Sequence, residues 1–298
     1  MLEYYLIIPC LFSTIQFLIE VLANGLILVV NGTELIKQRK MVPLALLLSC
    51  LAIARICLQS VIFDINLALL LWIKVPLLTE NFLILMFVNE LGLWFASWLG
   101  VFYCAKIAPI AHLLFFWLKM RILKLVPWLI LGSLLYASAP SVFYNKHTGF
   151  FPNKFFGVFF SPNTTTQIKE KSALQIAFLV RLSLPLFIFL MSALLLIFSL
   201  GRHTWQMRNT AMGTRVPSTG VHVRSLLSVL SFLVLCISHY VTAALLSSQI
   251  FKLRSLMFLF CVWVFGSFPS GHSMILILGS PKLKQNAKKL LLHGKCHE

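Results

Sequence analysis

The 298-residue chain is 59% hydrophobic and 11% charged, and its 25 Lys and Arg residues against eight acids give a formal net charge of +17. A soluble domain carries about 25% charged residues, and one core could not cover so much apolar surface in water. The composition therefore excludes a soluble globular protein and predicts an integral membrane protein. Its basic excess favours loops at an anionic inner leaflet over binding to nucleic acid.

Seven apolar segments follow one another along the chain, each long enough to cross a hydrocarbon core of about 30 Å. We predict membrane spans at residues 6–30, 43–71, 82–105, 126–144, 174–200, 226–249 and 256–278. No basic segment precedes the first span, which is too long for a signal-peptide core, so we expect it to be retained. The sequence thus predicts one all-α domain over residues 1–298, a bundle of seven membrane helices.

Basic residues and a sequon predict the orientation of this bundle. Most Lys and Arg residues follow the first, third and fifth spans or lie in the tail, which places the N-terminus outside. Asn163 begins a glycosylation sequon in the outer loop between spans four and five, whereas the Asn31 sequon falls on the inner face. Residues 282–292 have the period of a short amphipathic helix on the membrane, and Cys296 beyond them is a candidate for palmitoylation.

Polar residues inside two spans need partners. Asn89 and Glu90 lie about two turns below the outer start of span three, where ionisable groups usually face a bundle interior or a hydrated cavity. Arg55 falls near the middle of span two, where a cation costs about 2.5–3.5 kcal/mol on insertion scales. We expect inward-facing polar groups to bind Arg55 in a structural and switching network, with pairing to Glu20 left open; the candidates are Asn24, Ser270, His272 and Ser273.

Seven helices with an outer N-terminus suggest a G-protein-coupled receptor by fold-level analogy alone, and the details depart from the rhodopsin-like pattern. None of the seven cysteines lies in the loop 145–173 or at the outer end of span three, so the usual disulfide between these places cannot form. Phe102-Tyr103-Cys104 replaces the acidic-Arg-Tyr triplet. Span seven reads FPSGHS from Phe268 where Asn-Pro-x-x-Tyr is usual.

These departures and seven ordered landmarks resemble the bitter taste receptors, taste receptor type 2. The landmarks are Asn24-Gly25, LLLSCLAIAR ending at Arg55, WFASWLGVFYCAKIA from Trp94, FFWLKMRI from Phe115, SLGRHTWQMRN from Ser199, HVRSLLSVLSFL from His222 and PSGHSMILILGSPKLKQNAKKLLL from Pro269. The resemblance implies a plasma-membrane receptor that binds small bitter molecules in an outward-facing pocket and activates a gustducin-type heterotrimeric G protein. It implies no catalytic activity and no cofactor or metal.

The resemblance also suggests ligand-binding residues. Asn89 matches a family position associated with agonist contact, and Glu90 beside it could accept a hydrogen bond or pair with a cationic ligand. The alternative is that both only bind neighbouring helices. Leu85 stands where many family members carry Trp, and Val262 stands where some carry an acid. The resemblance therefore implies that this pocket binds different molecules from the pockets of those members. Further candidates are Asn66, Met86 and Arg181, of which Arg181 could instead reach the outer headgroups.

The same resemblance implies a G-protein surface at the inner ends of spans three, five and six. Most of its positive charge would also follow from the positive-inside rule alone. The family's His-Pro-Leu-Phe loop motif reads HLLF here, so this loop could bend differently. The candidate contacts are Tyr103, Lys106, His112, Lys119, Arg121, His203, Gln206, Met207, Arg208, His222 and Arg224.

Two other classes of protein are weaker alternatives. Pro269-Ser270-Gly271-His272 matches the core of lipid-phosphate phosphatases, but that chemistry needs a downstream His–Asp pair, and no Asp follows Asp64. A membrane transporter would show internal repeats and interrupted helices at matching positions, and the chain has no visible repeat.

The orientation can be tested by glycosylation. We expect peptide N-glycosidase to increase the gel mobility of the parent and of Asn31→Gln, but not of Asn163→Gln, because only Asn163 is on the lumenal side during synthesis. A shift that survives in Asn163→Gln and disappears in Asn31→Gln would reverse the orientation.

Overall fold

Seven long helices form the part of the chain that the structure describes. The structure is a computed structural model that describes residues 4–39, 42–70, 75–107, 113–147, 165–210, 218–248, 250–251, 255–279 and 285. The helices are α1 (Tyr4–Gln38), α2 (Pro43–Leu70), α3 (Val75–Ile107), α4 (Leu113–His147), α5 (Thr165–Thr210), α6 (Ser218–Ser248) and α7 (Leu256–Gly279). The predicted all-α fold, a bundle of seven helices, is confirmed.

Six of the helices contain an apolar stretch that could cross a membrane. These stretches are Leu11–Lys37, Pro43–Ala68, Ile84–Lys106, Phe116–Ala139, Leu179–Ser199 and Leu256–Gly279, and a shorter one in α6 covers Leu230–Leu246. Most of the helices extend beyond the predicted spans at one end or both, most clearly at the start of α4, which begins at Leu113 rather than at residue 126. A helix satisfies its own backbone hydrogen bonds at every depth, so it need not end where hydrocarbon ends.

Helix α3 occupies the centre of the bundle. It packs against α2, α4 and α5, while α1 packs against α2 and α7, and α6 against α5 and α7. The buried share of the apolar stretch is 61% for α3 but only 28% for α4. Helix α4 is therefore peripheral. A polar side chain on α3 therefore faces neighbouring helices in most directions.

Apolar side chains cover both the inside and the outside of the bundle. Leu47, Leu51 and Leu99 are among those fully buried in the core, whereas Leu22 on α1 and Trp128 on α4 are more than 70% exposed. An outer surface of this kind would be unfavourable in water, but it matches lipid tails. This pattern supports the classification as a multi-pass membrane protein.

Pro269 alters the hydrogen bonding of α7. A proline inside a helix has no N–H to donate to the carbonyl four residues earlier, which here is that of Phe265. His239 of α6 approaches this carbonyl, with 3.3 Å between its Nδ1 and Phe265 O. The proline therefore leaves a backbone acceptor that a side chain of the next helix can use.

Gly100 lets α3 and α5 approach closely. A Cβ atom at this position would lie 2.8 Å from Ser192 Oγ and 3.2 Å from Phe189 Cδ2, whereas a Cβ atom at Gly92, in the same helix, would have no neighbour within 4 Å. The lack of a side chain at residue 100 thus sets the separation of the two helices.

This close approach predicts opposite effects of the same substitution at two glycines of α3. Gly100→Ala should destabilise the protein by about 1–3 kcal/mol through overpacking, and Gly92→Ala should leave its stability unchanged or raise it. Thermal unfolding of the detergent-solubilised proteins measures both. Equal melting temperatures for the two variants would contradict the packing described here.

Candidate functional site

The outer half of the bundle, defined by the predicted orientation, contains an ion pair between α3 and α5. Arg181 donates from Nη2 to Glu90 Oε2 at 2.5 Å and from Nε to Oε1 at 3.3 Å. Its guanidinium also lies 5.3 Å from the centre of the Tyr136 ring on α4, and Nη2 is 3.4 Å from the Tyr136 carbonyl oxygen. Both Glu90 oxygens are thus occupied by a protein cation.

Asn89 binds α6 in the same layer. Its Oδ1 lies 3.1 Å from His239 Nε2, and both side chains are buried. A neutral imidazole carries one N–H, so His239 can donate to Phe265 O while the Asn89 amide turns its nitrogen toward Nε2. In this structure Asn89 and Glu90 thus both bind side chains of neighbouring helices. We call Asn89, Glu90, Arg181 and His239 the outer polar layer.

The other predicted ligand residues are half-buried at or above this layer. Leu85 and Met86 lie about one turn above Asn89 on α3, and Val262 lies about one turn above Phe265 on α7. Asn66 donates to Ser13 Oγ of α1 at 3.0 Å. Leu85, Met86 and Val262 therefore offer partly accessible apolar surface above polar groups that are already paired.

A second polar cluster lies in the middle of the bundle around Arg55. The Arg55 guanidinium donates from Nη1 to Ser273 Oγ at 2.9 Å and from Nη2 to His272 Nδ1. Ser273 Oγ also lies 3.0 Å from Asn24 Oδ1 and 3.3 Å from Glu20 Oε1. We call these five residues the Arg55 cluster, and all of them are buried.

The Arg55 cluster includes Glu20, whose pairing with Arg55 the sequence analysis left open. It does not include Ser270, which the sequence analysis proposed as a partner. Glu20 accepts a hydrogen bond from Asn24 Nδ2 and brings a carboxylate into the same buried group as Arg55. Ser270 instead donates to the Ser267 carbonyl of its own helix at 3.1 Å. Three of the four proposed partners, Asn24, His272 and Ser273, are therefore in the cluster around the arginine, with Asn24 reached through Ser273.

Aromatic rings lie between the outer polar layer and the Arg55 cluster. His239 stacks on Phe265 with 4.3 Å between ring centres and lies 4.6 Å from Phe268. Phe232 of α6 stacks on His272 at 3.4 Å and on Phe268 at 6.0 Å. The α6–α7 contact is thus a continuous set of rings from one polar group to the other.

A cavity opens in the inner half of the bundle, between α3, α5, α6 and α7. It has a volume of about 70 Å³, and its lining is mostly apolar except for Tyr103 and His272. Small residues make room for it, since Ala96 and Gly100 of α3 face Ala193 of α5 there. The cavity thus adjoins both the Arg55 cluster and Tyr103, which the sequence proposed as a G-protein contact.

The predicted G-protein residues are dispersed over the inner ends of the helices. Lys106, Lys119 and Arg121 are exposed, and the Arg121 guanidinium lies 5.4 Å from the Trp117 ring centre. Others lie on α5 and α6, but their side chains are outside the described part of the structure; these are His203, Gln206, Met207, Arg208, His222 and Arg224.

Several predictions fall outside the described residues, namely those for His112, Asn163, Cys296 and the amphipathic tail. Among the residues that the structure does describe, no group of three or more His, Cys, Asp or Glu side chains could hold a metal ion. The described cysteines are free thiols: Cys50, Cys57, Cys104, Cys236 and Cys261.

Three features of the site were not found from the sequence. The pairing of Glu90 with Arg181 joins residues that are 91 positions apart, and that of Asn89 with His239 joins residues 150 positions apart. The sequence identified each of these polar residues as a candidate, except for the His239 partnership. It did not specify how the helices are rotated, and this rotation determines which side chains pair. The inner cavity left no signal except a few small residues on two helices.

Comparison with known proteins gave matches over the whole chain. A family model described as taste receptor protein (TAS2R) matches residues 1–295. Taste receptor type 2 member 1 of Gorilla gorilla gorilla is 58% identical over 297 residues, 99% of both chains, and that of Chlorocebus aethiops is 57% identical over the same length and shares. Taste receptor type 2 member 119 of Rattus norvegicus is 48% identical over 99% of this chain and 88% of its own.

The Arg55 cluster predicts a large effect of one hydroxyl. Ser273→Ala removes an acceptor of Arg55 and should destabilise the receptor by about 1–3 kcal/mol, the cost of an unsatisfied buried group. Ser267→Ala is the matched control, because among the described residues its hydroxyl bonds only the Val264 carbonyl of its own helix. Thermal unfolding in detergent measures the difference, and equal melting temperatures would contradict it.

Proposed function

The chain belongs to the taste receptor type 2 (TAS2R) family, and from this premise we propose that it is a plasma-membrane receptor for small bitter molecules that activates a gustducin-type heterotrimeric G protein. The observation that carries the proposal is the match over residues 1–295, joined to a bundle of seven membrane helices. Members of this family are receptors rather than enzymes, so the PSGH match to phosphatases has no catalytic meaning here.

We propose that agonists bind above the outer polar layer. Leu85, Met86 and Val262 supply half-buried apolar surface there, as ligand sites usually do. Asn66 and Arg181 supply polar groups that are also partly accessible. Asn89 and Glu90 would then form the floor of the site, where an agonist affects them through their bonds to α6 and α5.

Signal transfer would proceed through α6 and α7. An agonist acts by binding one conformation of the bundle more tightly than another, which shifts the population. The rings of His239, Phe268 and Phe232 connect the floor of the site with His272 and the Arg55 cluster, so they supply a packed route for such a shift.

The G protein would bind at the inner ends of α3, α5 and α6. The cavity beside Tyr103 supports this location, because it leaves unfilled space between the four helices that line it. Widening this cavity would admit the C-terminal helix of a Gα subunit. Lys106, Lys119 and Arg121 would contact the subunit from the rim, together with the proposed residues of α5 and α6.

A membrane transporter remains the alternative from another class of protein, and one experiment distinguishes it from the proposed receptor. Cells that express the chain with a promiscuous Gα subunit are challenged with a panel of bitter compounds while intracellular calcium is recorded. We expect responses that require the Gα subunit. A chain that reaches the cell surface and stays silent across a wide panel would contradict the proposed function.

The position of the agonist site has its own prediction. Met86→Ala should raise the half-maximal concentration of agonists about tenfold, which corresponds to roughly 1.4 kcal/mol of lost contact. Met191→Ala is the matched control, since the Met191 side chain on α5 is 44% exposed at the surface of the bundle. Unchanged potency of every agonist on Met86→Ala, at equal surface expression, would move the site elsewhere.

A further inference from the structure

The ion pair between Glu90 and Arg181 is unequally accessible. The Glu90 side chain is 8% exposed and the Arg181 side chain 28% exposed. Arg181 holds both carboxylate oxygens through Nε and Nη2, while its Nη1 makes no bond to any residue that the structure describes. A molecule that reaches this place meets a guanidinium with a free donor edge and no free carboxylate.

From this geometry we propose that Arg181 sets the charge preference of the receptor, so that its ligands carry a carboxylate or another anionic group, while Glu90 is the internal counter-ion that positions Arg181. The inference rests on the proposed function and deepens it. It also differs from the expectation from the sequence, in which Glu90 could accept a hydrogen bond from a ligand or pair with a cationic one.

The neighbours of Arg181 hold the guanidinium in place without neutralising it further. The Tyr136 ring lies 5.3 Å from it and favours a cation there, and the Tyr136 carbonyl oxygen lies 3.4 Å from Nη2. A planar guanidinium fixed on two sides can bind a carboxylate through its remaining edge with little loss of side-chain freedom. The bound ligand would then accept from Nη1, while Glu90 keeps Nε and Nη2 of the same guanidinium.

The surroundings indicate what the rest of the ligand is like. Leu85 and Met86 are half-buried about one turn above Glu90, so the anionic group should be attached to an apolar body. The predicted outer segments also contain more bases than acids: Lys74, Lys146, Lys154, Lys169, Lys171, Lys252 and Arg254 against Glu3, Glu80 and Glu170. Such a surface raises the local concentration of anions.

Matched ligands test the charge preference on the full receptor. The probes are triplets in which one apolar body carries a carboxylate, a primary amide or a primary amine, such as 4-phenylbutyrate, 4-phenylbutyramide and 4-phenylbutylamine. Calcium responses through the promiscuous Gα subunit give a half-maximal concentration for each. We expect the carboxylate to be about tenfold more potent than the amide, as one charge-assisted hydrogen bond allows, and the amine to be the weakest.

Variants show whether this order depends on Arg181. The pair Glu90→Gln with Arg181→Gln removes both charges without leaving a buried ion alone, and it should reduce the carboxylate-to-amide ratio to near one. Arg181→Lys keeps the charge and should retain most of the preference. Ser183→Ala is the control and should keep the parental ratio, because the Ser183 hydroxyl bonds the Val180 carbonyl of its own helix and no other residue that the structure describes.

The outcomes are distinguishable. Equal potency of the three probes on the parent, or greater potency of the amine, would overturn this inference while leaving the receptor function intact. A parental preference that survives in the double Gln variant would also overturn it, and the parental order alone decides the matter if that variant does not reach the surface. Silence of the parent to every triplet and to the bitter panel would instead overturn the proposed function, and this inference with it.

Discussion

A buried arginine constrains how the whole bundle assembles. Arg55 is 2% exposed in the middle of α2, at a depth where an unpartnered cation would strongly disfavour insertion. Ser273 and His272 of α7 accept hydrogen bonds from Arg55, and Ser273 in turn contacts Asn24 and Glu20 of α1. The three helices must therefore meet in one register, and the packing of α6 on α7 follows from that arrangement.

The outer polar layer and the Arg55 cluster are built on the same helix. α7 supplies the Phe265 carbonyl that His239 approaches, because Pro269 has no N–H for it, and one to two turns further it supplies His272 and Ser273. Phe268 lies between them and packs against rings of α6. A rotation of α6 relative to α7 would thus disturb both polar groups together, which is the behaviour expected of a bistable element.

Sequence reasoning succeeded where a single energetic demand decides the outcome. Hydrocarbon requires long apolar helices, which the composition shows, and a cation at mid-span requires polar partners, which are few enough in this chain to name. It failed where the answer depends on helix rotation. Glu90 could face a ligand or Arg181, and only the positions of α3 and α5 decide between them. The inner cavity depends on the combined shapes of Ala96, Gly100 and Ala193, which no local pattern reports.

The absence of cysteine from the loop 145–173 and from the outer end of α3 gives the ion pair between α3 and α5 a further meaning. Rhodopsin-like receptors join α3 to this loop covalently, and a thiol reductant can cut that bond. Here an ion pair joins the outer halves of α3 and α5, and it does not depend on the redox state of the surroundings. The two helices can therefore separate or rejoin at this ion pair without any covalent bond being broken.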